Sequence, residues 1–230
     1  MTENPSSQPG DQLVVAIDGP SGSGKSTVAR GLAKRLEFQY LDTGAMYRAV
    51  TWYFLSKGIG PQSGEVAVTG ALARLRLRLN EAGRVEIDGE GVSERLRTRE
   101  VEANVSGVSA MPRVREMMRE LQRSIAAAGP LVAEGRDMGS VVFPRARWKF
   151  YLDAEPEERA RRRHGEYVER GRGVTQEEIQ EEIQQRDRLD SSREDAPLVR
   201  ADGATLVDTT HTSAERIIED LSRIVQRDLA

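Results

Sequence analysis

Leu13-Val14-Val15-Ala16-Ile17-Asp18, followed at once by Gly19-Pro20-Ser21-Gly22-Ser23-Gly24-Lys25-Ser26-Thr27, is the stretch on which the fold turns. Its first six residues form a short, continuous apolar run that closes on an aspartate. Such a run, bounded by Gly and Pro, suits a strand buried on both faces of a parallel sheet. Gly19 to Ser26 then meets the pattern G-x-x-x-x-G-K-[S/T] at every fixed position. From Lys25 to Leu36 the spacing turns helical, with Val28, Leu32 and Leu36 four residues apart. Strand, glycine-rich loop and helix in register make a phosphate cradle. Several backbone N–H groups must curl inward around a β-phosphate, and Gly19, Gly22 and Gly24 keep that curl clear of side chains. The helix N-terminus adds a partial positive charge beneath the phosphates. Gly19 through Thr27 are therefore the expected triphosphate-binding residues. Lys25 reaches the β- and γ-phosphates, and the Ser26 hydroxyl is the expected Mg²⁺ ligand. The motif leaves the phosphoryl acceptor open.

Outward from the cradle, strand and helix signals alternate. Phe38 to Leu41 reads as a second strand, and Ala45 to Lys57 as a helix closed by Gly58. Leu131-Val132-Ala133, Trp148 to Leu152 and Thr205 to Val207 read as further strands. A last helix runs from Ser213, its cap, to Leu229. This alternation predicts an α/β fold with a parallel sheet and helices on both faces. Residues 61–102 break the rhythm. Arg84 to Val92 alternates and carries Asp88-Gly89, a hairpin signal, so a small β-containing insertion is expected there. Residues 1–11, rich in Ser, Pro and Gln, read as a disordered tail. The remainder, 12–230, reads as one core.

The 230 residues suit one large domain carrying such an insertion. With 34 basic and 37 acidic side chains the formal charge is −3, which gives no overall attraction to nucleic acid or to an anionic membrane. Cysteine is absent, so disulfides and thiolate metal sites are excluded. His164 and His211 lie too far apart in sequence for an ordinary His-rich metal site. No apolar run approaches the roughly 20 residues of a membrane span, and the N-terminus lacks secretory features. A soluble, cytoplasmic protein is expected. Only Lys25, Lys34, Lys57 and Lys149 of the basic residues are lysines. Arginine offers carboxylates and phosphates a rigid bidentate fork, although base composition of a genome can also inflate its number.

The positions of particular arginines narrow the acceptor. A guanine-specific switch would carry N-K-x-D after a later strand, and none is present. The third strand ends in Glu134-Gly135-Arg136-Asp137, not in the Asp-Glu of multimeric motors. Arg and Asp beside the cradle suit a second small anionic molecule, or else form an ion pair in a turn. Thr43, after the second strand, is placed to cap the next helix, with Arg48 on its first turns. Arg159, Arg162 and Arg163 share a helix face. Gly171-Arg172-Gly173 is a flexible break, and Arg186 to Arg193 follows. A segment between two Arg-bearing helices reads as a lid over phosphates, 157–175, that excludes water.

Beyond the cradle, several longer strings carry a family resemblance: Leu41-Asp42-Thr43-Gly44-Ala45-Met46-Tyr47-Arg48, Leu96-Arg97-Thr98-Arg99-Glu100-Val101, Pro112-Arg113-Val114-Arg115-Glu116, and Glu134-Gly135-Arg136-Asp137-Met138-Gly139 with Val141-Val142-Phe143-Pro144. With them the chain resembles the bacterial cytidylate kinases from about Leu13 to Leu229. The resemblance implies a P-loop kinase with a central five-stranded parallel sheet flanked by helices, an insertion and a short lid. It implies transfer of the γ-phosphoryl group of ATP to CMP or dCMP, with Mg²⁺. It further implies that Thr43, Arg48, Arg136 and Arg193 hold the acceptor phosphate. Ser106, Arg115 and Asp137 would read the cytosine edge. Arg186 and Asp190 would contact the sugar. Lys25, Arg136 and Arg186 would face the transferring group, and Arg159, Arg162 and Arg163 would be lid arginines. The family often shows Asp where Glu134 stands. The competing readings are a kinase for another small acceptor, such as shikimate or UMP, and a nucleotide-dependent switch that binds a protein partner. Nothing in the chain demands more than a monomer.

Overall fold

The computed structural model describes residues 13–80, 82–169, 171 and 173–230. The expected tail and Arg172 lie outside them. The decisive apolar run is strand β1 (Val14–Asp18), and Val14 to Ile17 are fully buried. It is followed by α1 (Lys25–Leu36), β2 (Gln39–Asp42) and α2 (Thr43–Ser56). The insertion comes next, with α3 (Glu65–Leu72), β3 (Leu77–Leu79), β4 (Val85–Ile87), β5 (Glu90–Gly91) and a 3₁₀ turn at Ser93–Arg97. Then come α4 (Arg99–Ala110), α5 (Pro112–Ala126), β6 (Leu131–Gly135), a π-type turn at Met138–Val142 and β7 (Trp148–Asp153). The chain closes with α6 (Pro156–Glu169), α7 (Gln176–Ser191), β8 (Thr205–Asp208) and α8 (Ala214–Leu229).

The main sheet has five strands in the order β2-β6-β1-β7-β8, and every pair is parallel. β1 is central, which is why its apolar run is continuous. Its successive side chains feed two cores on opposite faces, as a strand's period of two requires. Val14 and Ala16 join Met46, Phe54, Val108 and Met118 under α2, α4 and α5. Val15 and Ile17 join Val28, Leu32, Ile217 and Leu221 under α1 and α8. At about 1.5–3 kcal/mol per fully buried large aliphatic side chain, these two layers are the main favourable contribution to the fold.

The insertion forms a separate antiparallel sheet, β3-β4-β5. Ile87 pairs with Glu90, so Asp88 and Gly89 make a two-residue hairpin turn, and both have positive φ as a type I′ turn requires. The expected end of the insertion at 102 falls inside α4, which runs on to Ala110. The α6–α7 hairpin, which contains the expected lid, has its own small core of Ala160, Tyr167, Ile179 and Ile183. α7 starts at a capping box in which Thr175 and Glu178 exchange hydrogen bonds.

Candidate active site

Strand register sets the site. Asp18 lies opposite Gly135, and Asp42 opposite Glu134, so β1, β2 and β6 end side by side. The glycine-rich loop, Thr43 and Arg136 therefore leave the sheet at one edge, the usual place for ligands in open parallel sheets. Asp18 faces inward beneath this edge. It accepts hydrogen bonds from the N–H groups of Met138 (2.8 Å) and Gly139 (2.7 Å), anchoring the π-type turn. Burial pushes its carboxyl up to about 7.

The loop closes against the lid hairpin. Gly22 has φ +76°, and a Cβ there would lie 2.7 Å from the Arg159 carbonyl oxygen, so only glycine fits. Lys25 is buried and donates to the Pro20 carbonyl (2.5 Å) and Ser23 Oγ (3.2 Å). Burial first, then the nearby Arg136, brings its ammonium down to about 7. Ser26 Oγ donates to Glu134 Oε2 at 2.9 Å, and Tyr40 donates to Glu134 Oε1 at 2.5 Å. Burial, and then Asp42, raises the Glu134 carboxyl above its ordinary range.

Across the cleft the wall is arginine. Arg136 Nε bonds Asp190 at 2.9 Å, and Arg193 also pairs with Asp190. Arg115 pairs with Asp137, both nearly fully buried. Arg136 and Asp137 thus pair outward with separate partners and not with each other. Arg193 also donates to Ser109 Oγ at 3.0 Å. The enclosed space is about 430 Å³, lined by nine arginines and Lys25 against five carboxylates. The Nε atoms of Arg186 and Arg193 are buried with no hydrogen-bond partner among the described residues, whereas Arg48 Nε faces Glu102 at 3.4 Å and Arg115 Nε faces Asp195 at 3.3 Å. A cleft walled by this many guanidinium groups suits an anion.

Three expectations change. Thr43 does not cap α2. Asp42 does, accepting from the Ala45 N–H at 2.7 Å, while Thr43 Oγ1 donates to the Glu134 carbonyl at 2.6 Å and so straddles β2 and β6. Arg159 lies behind the loop, donating to the Ser21 carbonyl and pairing with Asp187, and does not line the cleft. Arg162 and Arg163 do. Ser106 is also absent from the lining. Ser109, one turn later on α4, takes that place. Thr43, Arg48, Arg115, Arg136, Asp137, Arg186, Asp190 and Arg193 all meet there with Lys25, Ser26 and Thr27.

Over residues 15–227 the chain matches the sequence model described as cytidylate kinase. It belongs to the cytidylate kinase family. The cytidylate kinase of Carboxydothermus hydrogenoformans is 46% identical over 216 residues, covering 93% of this chain and 97% of that one. The cytidylate kinase of Caldanaerobacter subterraneus is 46% identical over 214 residues, covering 93% and 95%. A Synechococcus protein named as a bifunctional pantoate ligase/cytidylate kinase is 45% identical over 224 residues, covering 95% of this chain and 46% of that one.

Several residues of this cytidylate kinase site escaped sequence reasoning. Glu134, to which the motifs assign no role, is the partner of Ser26. Ser109, which lines the cleft, and Glu102 and Asp187, which pair with arginines from outside the lining, carry no motif signal, because the sequence does not state which way their helices face; Arg97 lies in one of the family strings and also lines the cleft. No helix among the described residues is long and apolar enough to cross a membrane.

Proposed function

We propose that this chain transfers the γ-phosphoryl group of ATP to CMP or dCMP, giving ADP and CDP or dCDP. The observation that carries this reading is the convergence of Arg48, Arg115, Arg136, Arg186 and Arg193 on the same cleft as the phosphate cradle. The donor's phosphates lie on Gly19 to Thr27. A second recess of about 370 Å³, lined by Thr27, Arg161, Arg162, Thr209, His211 and Ser213, adjoins the loop and suits the donor's nucleoside end. Thr43, Arg48, Arg136 and Arg193 hold the acceptor phosphate. An oxygen of that phosphate attacks the γ-phosphorus as the bond to the β–γ bridging oxygen breaks, and ADP departs. Lys25, Arg136 and Arg186 stabilise the charge spread over the moving group, and the enclosing arginines keep water out.

Ser26 Oγ and the Glu134 carboxylate supply two hard oxygen donors beside the cradle, which fit Mg²⁺. Bound there with the phosphates, the ion would neutralise their charge. No cluster of three or more His, Cys, Asp or Glu suited to a metal exists among the described residues, in keeping with an ion held partly by substrate.

For the base, Arg115 donates toward the cytosine O2 and N3 edge and Asp137 accepts from the exocyclic amine, with Ser109 the hydroxyl on that wall. Uracil presents a carbonyl where Asp137 needs a donor. A panel of CMP, dCMP, UMP, AMP and shikimate, read by ADP release with ATP and Mg²⁺, tests the reading. CMP and dCMP should lead, and kcat/KM for UMP should be lower by about tenfold or more, since an unpaired buried polar group costs ~1–3 kcal/mol. Equal values for CMP and UMP would remove the role of Asp137, and no CDP from CMP would remove the whole reading.

A further inference from the structure

Glu102 takes no part in the scheme above. It sits on α4, and its side chain is only 4% exposed. Four arginines approach its carboxylate: Arg48 Nε at 3.4 Å, Arg97 at 3.7 Å, Arg163 at 3.0 Å and Arg186 at 3.4 Å. They come from α2, the 3₁₀ turn of the insertion, α6 and α7, four places far apart in sequence. All four line the cleft, whereas Glu102 does not. The carboxylate therefore stands behind the arginine wall and leaves the phosphate space clear.

Its place there has a physical reason. Four guanidinium groups gathered in a poorly solvated wall repel one another. Burial, and then the neighbouring Arg136 and Arg48, already bring Arg186 down to about 10. A single carboxylate at the back offsets part of this repulsion and leaves a net positive face toward the cleft. It also leaves part of each guanidinium for substrate. Arg48 turns Nε toward Glu102, while its terminal nitrogens lie 3.1 and 3.7 Å from where a Cβ on Gly44 would stand, at the start of α2 beside Thr43. Burial alone would raise the Glu102 carboxyl, but Arg48, Arg163, Arg186 and Arg97 outweigh it and hold it at about 2, so it is ionised at any working pH.

We propose that Glu102 is a positioning residue: a buried counterion that gathers Arg48, Arg97, Arg163 and Arg186 into one wall and ties the α6–α7 lid hairpin to the acceptor side of the cleft. The proposal rests on the phosphoryl-transfer reading above. It differs from a carboxylate that occupies the phosphate position and must be displaced, because the two have opposite consequences. Loss of a positioning anion disorders the wall and slows transfer. Loss of a competing anion frees the wall and improves acceptor binding.

The test is initial-rate kinetics on the full chain with Glu102→Gln, varying ATP and CMP separately. The expected result is a kcat lower by roughly 10- to 100-fold, a KM for CMP raised a few-fold, and a KM for ATP within about threefold of the parent, since the cradle does not touch Glu102. Glu102→Asp keeps the charge one methylene shorter and should recover a large part of kcat. In an Arg163→Met background, Glu102→Gln should cost less than it does alone, because the Glu102–Arg163 contact is already lost and only those to Arg48, Arg97 and Arg186 remain to be removed. A Glu102→Gln protein with kcat/KM for CMP unchanged or raised overturns the proposal. If Glu102→Gln does not fold, Glu102→Asp carries the test, with a several-fold loss of kcat expected and no loss overturning it. The parent protein assayed alongside keeps the two readings apart: failure of the parent to make CDP falls on the proposed function, whereas an active parent with an indifferent Glu102 variant falls on this proposal alone.

Discussion

The proposed donor side of the cleft is nine consecutive residues, Gly19 to Thr27, whereas the proposed acceptor side draws Arg48, Arg115, Arg136, Arg163, Arg186 and Arg193 from helices, a strand end and the segment after α7, spread along the chain. In the proposed scheme the first holds its ligand with backbone N–H groups, a helix N-terminus and one lysine, set mainly by local conformation. The second would hold its ligand with long side chains, each paired with a carboxylate: Asp137 for Arg115, Asp190 for Arg136 and Arg193, and Glu102 for Arg48, Arg163 and Arg186. The donor side is rigid by local geometry. The acceptor side is rigid only while its ion-pair network stays assembled. A single substitution should therefore remove one local contribution on the donor side, and on the acceptor side should propagate to neighbouring arginines.

Lys25→Met gives the largest contrast. It removes the ammonium and keeps the side-chain length, so turnover should fall by roughly 100-fold or more while the thermal midpoint stays close to the parent's. Full turnover in this variant would show that the cradle lysine does not meet the moving phosphoryl group. Arg136→Ala acts on the other wall and leaves Asp190 paired with Arg193. It should lower kcat/KM for CMP by roughly 10- to 100-fold with little change in KM for ATP. A change confined to ATP would place Arg136 on the donor side and dissolve the comparison.

The smallest effect is in pH. Lys25 stands at about 7 against an ordinary 10.5. Near and above pH 7 the free enzyme therefore has Lys25 partly neutral, and a bound triphosphate, being anionic, restores its proton. Donor binding should take up a proton, and affinity for a non-hydrolysable ATP analogue should weaken as pH rises through about 7 toward 10, by at most about tenfold per pH step of one. Titration calorimetry in two buffers of different ionisation heat at pH 8 reads the proton directly, and zero uptake would mean that Lys25 is already charged. The Glu102 carboxyl stays ionised throughout this window and Arg186 begins to lose its proton only toward about 10, so between pH 7 and about pH 9 the acceptor wall should show no matching change.

The same difference decides what was legible. α1 runs from Lys25 to Leu36, the span its spacing predicts, and β1 runs from Val14 to Asp18, one residue shorter than the apolar run that starts at Leu13. The Asp88-Gly89 turn was legible because a type I′ turn has a narrow chemical signature. Thr43 was misread as a cap because Asp42 and Thr43 are both good capping residues. Strand pairing settled it, by placing Thr43 opposite the Glu134 carbonyl. Ser106 and Ser109 are both plausible on one helix, and only the helix's rotation in the fold selects the one that faces the cleft.

Local sequence determined the parts whose conformation depends on neighbours in the chain: the buried central strand, the phosphate loop, the hairpin turn, and the helices with their apolar spacing. The tertiary structure alone decided which arginines converge, which carboxylate steadies each, and that Glu102 stands behind four of them. Charge falls off with distance in space and takes no account of distance in sequence, so a network built on it exists only once the sheet and its helices have brought those side chains together.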